Sequence, residues 1–175
     1  MRLDSPIEVH DHTLGPDTAN VTLVEYGDYQ SASCAQAHAF VHSARSLLGE
    51  RLRYVFRHFP IGQVHRHAQH AAEAAEAAGA QGRFWDMHEA LASRQRPLDD
   101  ASLLSWAHEL GLDTSLFLRD VATHVHADYI GRQVQGGIDS GVESTPAFFI
   151  NGVRFEDEWQ HGDALLRALE EAAVT

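Results

Sequence analysis

At 175 residues with 44% apolar content, the chain is long enough for one sizeable core and too short for two average domains. Its 25 acidic side chains outnumber 13 basic ones, all of them arginine, for a net charge of −12. A field of that sign repels phosphate backbones and anionic headgroups, which argues against nucleic acid and membrane surfaces as partners.

The amino terminus lacks the apolar core of a secretory signal, and no later run is long and apolar enough to span a bilayer. The expectation is a soluble chain, cytoplasmic if full length and periplasmic or secreted if a leader has been trimmed. In chain order, Val21-Thr-Leu-Val-Glu-Tyr26 is β-branched and aromatic, bounded by Asn20 and by Gly27-Asp28, and reads as a buried strand. From Ala32 to Leu48 the apolar positions Ala37, Phe40, Val41, Ala44, Leu47 and Leu48 recur at helical spacing, with Gly49 as the stop. Leu52–His58 predicts a second strand, parallel to the first across a right-handed crossover.

Residues 67–140 predict only helices, punctuated by Gly79, Gly82, Pro97, Gly111 and Gly136-Gly137. The first of them carries Ala71–Ala78, with its two glutamates expected on the wet side. After Thr145-Pro146, the runs Ala147–Ile150 and Val153–Phe155 flank Asn151-Gly152, a strong hairpin signal, and a last helix covers Ala164–Ala172. Strand, helix, strand, helical block, hairpin, helix is the order of a thioredoxin-like α/β fold. That is a mixed central sheet with an all-helical insertion between strand 2 and the C-terminal hairpin. One domain over 1–175 is expected, its core in 19–62 and 141–175 and its insertion in 63–140.

At the junction of first strand and first helix, Tyr29-Gln30-Ser31-Ala32-Ser33-Cys34 places polar groups at an electropositive helix end. A cysteine in a first turn tends towards a depressed pKa, and either Ser31 or Ser33 suits the N-cap. With one cysteine in the sequence there is no internal disulfide.

Three blocks, Val21–Gln30, Tyr54–Pro60 and Ser144–Gly152, resemble the signature stretches of DsbA-like thiol–disulfide oxidoreductases, and the resemblance spans about residues 13 to 172. In that family the tyrosine–glutamine pair precedes Cys-Pro-Tyr-Cys, whose first cysteine attacks and whose second resolves the mixed disulfide. Here Ser31 stands at the first position and Cys34 at the second. A serine hydroxyl does not start thiol–disulfide exchange, so dithiol oxidase chemistry is excluded for the monomer. The resemblance further implies a cis Pro146 beside Ser31 and Cys34, with Thr145 presenting its backbone to an extended ligand. Tyr29 and Gln30 complete the substrate-binding set.

Glu25 is either a buried proton relay to Cys34 or a strand-end carboxylate facing water, and His38, one turn beyond Cys34, either tunes a thiolate or is solvated. His65, His67 and His70 lie close in sequence, but further ligands are not in evidence and no metal is expected. Three functions follow. The first is monothiol exchange of Cys34 with glutathione or a protein disulfide. The second is a glutathione-dependent transferase or isomerase in which Ser31 hydrogen-bonds the cofactor thiolate, with glutathione the sole candidate cofactor. The third is a non-catalytic peptide-binding module. The partner in each is a thiol or disulfide of a protein or of glutathione, met by a monomer or weak dimer.

Overall fold

The computed structural model describes residues 1–160 and 163–174 and places a five-stranded sheet in the order β1 (His12–Leu14), β3 (Leu52–His58), β2 (Val21–Gly27), β4 (Ala147–Ile150), β5 (Val153–Arg154). Strand β2 (Val21–Gly27) runs parallel to β3 (Leu52–His58), and α1 (Ala32–Leu48) forms the crossover between them. Strand β4 (Ala147–Ile150) pairs antiparallel with β2, and β5 (Val153–Arg154) with β4. Asn151 and Gly152 both take left-handed backbone, φ 48° and 77°, the form a two-residue hairpin turn requires. The last strand stops at Arg154, one residue short of the expected run.

One strand escaped the sequence reading. Residues His12–Leu14 form β1, antiparallel to β3, and Arg2 bridges to Val153 at the other edge, so chain before residue 19 also belongs to the sheet. Three residues carry too short a pattern for periodicity to register.

Between β3 and β4 lie α2 (Ala68–Gly79), α3 (Phe84–Ala92), α4 (Asp100–Glu109), α5 (Thr114–Ala122) and α6 (Ala127–Asp139), and α7 (Ala164–Ala172) closes the described chain. Two expectations within this block are corrected. Glu73 and Glu76 are buried, because α2 is packed on several sides and its polar positions meet histidines rather than water. Gly136-Gly137 does not break a helix; it lies inside α6 and is buried. A methyl added to Gly137 would sit 2.7 Å from the Phe59 ring, so the glycines let α6 press onto the sheet.

Because side chains alternate along a strand, β2 sends Val21, Leu23 and Glu25 to one face and Val24 and Tyr26 to the other. The first face packs against α1, α3 and α7, the second against α6 and the N-terminal segment through Leu3 and Ile7. Glu25 therefore projects into the main core. On β3, Tyr54 and Phe56 share that face, while Arg57 points to the other.

Candidate functional site

The loop after β2 turns into α1 at Ser31, whose extended backbone and side-chain oxygen cap the helix by accepting the Cys34 N–H at 3.3 Å. Ser31, not Ser33, is the N-cap, since its oxygen reaches the third helical residue, one of the N–H groups that a helix start leaves without an intrahelical partner. The Ser31 hydroxyl also donates to the Thr145 carbonyl at 3.4 Å, tying α1 to the segment before β4. The Thr145–Pro146 bond is cis. Thr145 Oγ1 is buried, and its side chain stands at the Cys34 sulfur.

Cys34 is 8% exposed. Its sulfur accepts the Asp28 N–H at 3.4 Å. Burial first, and then the nearby charge of Glu25, push the thiol up to about 11. The Asp28 N–H and the side chains of Ser31 and Thr145 act the other way and are outweighed. The pull of the helix end on a thiolate loses here to desolvation, because the sulfur faces the core and not the open end of the helix.

Glu25 is buried, the first of its two sequence readings. Desolvation raises its carboxyl from 4.5 to about 7, only partly opposed by the 2.7 Å hydrogen bond it accepts from the Tyr54 hydroxyl. Glu25, Tyr54, Cys34, Phe56, His38 and His88 surround a cavity of about 10 Å³, the size of a single water. His38 stands at this cavity, its Nε2 3.0 Å from Glu89, so it is held by a carboxylate rather than freely solvated.

The remaining residues of the expected binding set, Tyr29 and Gln30, are each held by a neighbour from another element. Tyr29 is buried, its hydroxyl 2.9 Å from His88 Nδ1 and its ring stacked on Phe56. The Gln30 carbonyl oxygen accepts the His67 N–H at 2.7 Å, supporting the start of α2. Tyr29 lines the cavity beside Cys34, and Gln30 ties the loop to α2. Asp28, which the sequence reading did not single out, is the centre of that loop. Its carboxylate accepts from Gln30 N–H, from Ile61 N–H and from His65, at 2.7, 2.9 and 2.8 Å. The signal was Asp28 immediately after a buried strand, where a short acceptor ties a turn to its own backbone. His65, His67 and His70 go to different partners, Asp28, Arg66 and Asp100. Among the described residues no three His, Cys, Asp or Glu side chains converge to hold a metal ion.

A buried acid with a raised pKa makes stability pH-dependent. Between pH 4.5 and 7 the folded chain keeps a proton on Glu25 that the unfolded chain has released, so stability falls as pH rises through that window. Glu25→Gln keeps an acceptor for Tyr54 and removes the charge. It is expected to match the parent at pH 4.5 and exceed it at pH 8 by up to about 3 kcal/mol in urea unfolding. The same substitution lowers the Cys34 thiol pKa. A stability difference independent of pH would contradict this account.

A mixed sheet with a cis-proline loop facing a helix start, interrupted by a five-helix insertion, defines a DsbA-like thioredoxin fold. The sequence model of the family described as Thioredoxin matches residues 8–171, and the chain belongs to that family. A thioredoxin-like oxidoreductase from Silicibacter pomeroyi DSS-3 superimposes with a TM-score of 0.76 at 29% identity, over 93% of this chain and 94% of that one. The protein α-DsbA1 of Wolbachia pipientis has the same fold, TM-score 0.76 at 21% identity, covering 97% and 94% of the two chains. A curated relative, the Na(+)/H(+) antiporter NhaA 1 of Salinispora arenicola, is 46% identical over 167 residues, which is 94% of this chain and 24% of the antiporter. The chain thus spans about a quarter of the length of the curated relatives it matches. No helix among its described residues is long and apolar enough to cross a membrane.

Proposed function

We propose that the chain keeps the recognition half of a DsbA-type thiol–disulfide oxidoreductase and not its two-cysteine chemistry. It grips an extended, thiol- or disulfide-bearing polypeptide beside Pro146 without covalent turnover. The observation that carries this reading is the placement of the sulfur: a hydroxyl occupies the attacking position, and Cys34 is a buried thiol raised to about 11. At neutral pH such a thiol offers about a hundredfold less thiolate than an ordinary cysteine. The backbone before the cis Pro146 supplies the polar groups for strand-like pairing.

Monothiol exchange is the second reading, favoured by the Asp28 N–H on the sulfur and by Glu25, a carboxyl near 7 placed to take its proton. Glutathione would enter as the exchanging thiol in that case. The Ser31 route to glutathione has less support, because the Ser31 hydroxyl already accepts from Cys34 and donates to Thr145. The antiporter name belongs to proteins of which this chain matches a quarter, and the reading rests on the site alone.

The test combines two measurements on the unaltered chain. Cys34 is titrated with an aromatic disulfide from pH 4 to 10, and a labelled extended peptide bearing a free thiol is titrated by anisotropy. Slow modification that rises only above pH 9, with saturable peptide binding that survives Cys34→Ser, is the expected result. Fast modification below pH 7 sinks the recognition reading in favour of monothiol exchange.

A further inference from the structure

Away from the Cys34 site, α2, α4 and the turn after α5 bring two histidines together at the surface. His70 and His124 have ring centroids 5.9 Å apart with planes inclined at 38°. Each Nδ1 is held by a carboxylate, His70 by Asp100 at 3.2 Å and His124 by Glu73 at 2.8 Å. The Glu73 carboxylate is 1% exposed and is fixed in turn by Gln69 at 2.7 Å, so it orients the His124 ring rigidly.

An ionised carboxylate only accepts, which places the proton of each imidazole on Nδ1 and leaves the Nε2 lone pair outward. That tautomer, with a carboxylate behind the ring, is the arrangement that prepares histidine as a metal ligand. His124 also adopts left-handed backbone, φ 53°, a conformation few non-glycine residues take, and its ring reaches His70 from there. Both side chains remain substantially exposed, 40% and 56%.

We propose that His70 and His124 form a two-histidine site for a divalent first-row transition ion, zinc foremost, with Asp100 and Glu73 as the carboxylates that orient them. Two imidazoles bound through Nε2 to one tetrahedral zinc at about 2.0–2.1 Å have centroids about 5 Å apart. A movement of about 1 Å closes the gap from the observed 5.9 Å. The chain supplies two ligands, and water or an external donor completes the shell. The remaining positions open onto a groove of about 270 Å³ walled by Leu103, Phe117, Leu118 and Val121, so an apolar molecule with one donor atom suits the completed site.

Zinc chloride titrated calorimetrically into the full chain at pH 7.5 tests this. The expected result is one zinc per chain, bound in the micromolar range, with affinity reduced at least tenfold by His70→Gln and by His124→Asn. Asparagine tolerates the left-handed backbone and so preserves the turn. His42→Gln, on the exposed side of α1, leaves the affinity unchanged, and the ring nitrogens of His70 and His124 shift in the NMR spectrum on zinc addition. Stoichiometric binding that persists in both substituted chains places the ion elsewhere and overturns the proposal, as does the absence of saturable binding to the unaltered chain.

Discussion

Ser31→Cys is expected to raise the rate of disulfide exchange by on the order of a hundredfold at pH 7, against a parent that is almost inert. The reason is local. A sulfur at position 31 inherits the N-cap, where the Cys34 N–H and the aligned peptides of a 17-residue helix favour a negative charge. It also stands beside Thr145, whereas the Cys34 sulfur faces Glu25; the two positions are equally buried, 6% and 8% exposed, so the gain comes from the helix cap and not from accessibility. Loss of the serine cap costs about 1 kcal/mol, small beside the gain in reactivity. Reduction of an aromatic disulfide under pseudo-first-order conditions measures the effect. Ser31→Cys paired with Cys34→Ser should attack as fast and then stall as a mixed disulfide, which assigns attack to position 31 and resolution to position 34. A Ser31→Cys chain no faster than its parent would show that the site has lost more than its nucleophile.

How much of this was legible beforehand differs by element. The strand β2, the helix α1 with its Gly49 stop, β3 and the Asn151-Gly152 turn follow from period, propensity and turn chemistry, all local quantities. The burial of Glu25 was also open to reading: it continues the Val21, Leu23 alternation, and a strand covered on both faces has no wet side. What sequence pattern could not supply was partnership. Glu73 and Glu76 look like solvent-facing residues of an alanine-rich helix until His124 and the pair His12 and His58 arrive from distant segments. Burial alone would raise Glu76, yet hydrogen bonds from those two histidines bring it down to about 2. Tyr29 and Gln30 illustrate the same limit at the site itself. Their place beside the helix start follows from the sequence, whereas their partners, His88 and the start of α2, come from segments far along the chain.

The N-terminal segment, also missed, carries the second large effect. Arg57 emerges from β3 on the face opposite Glu25, and all five of its donors are engaged. Nε and Nη2 grip the two Asp11 oxygens at 2.9 and 2.7 Å, and the others reach Tyr26 and the carbonyls of Ser5 and Pro6. Both charged side chains are nearly dry, 4% and 5% exposed. Burial disfavours the guanidinium charge, but hydrogen bonds to Asp11 and Tyr26 more than restore it, so Arg57 stays protonated at any accessible pH. Arg57→Met strands the Asp11 carboxylate in a dry site and frees the backbone carbonyls that hold residues 5–6. The expected loss is about 3–5 kcal/mol in urea unfolding, larger than for any exposed ion pair of this chain. Adding Asp11→Asn to Arg57→Met should recover part of that loss, because most of it is the penalty of a buried unpaired charge rather than the worth of the pair. If the two substitutions simply add, the segment is held by Leu3 and Ile7 in the second core and not by the arginine clamp.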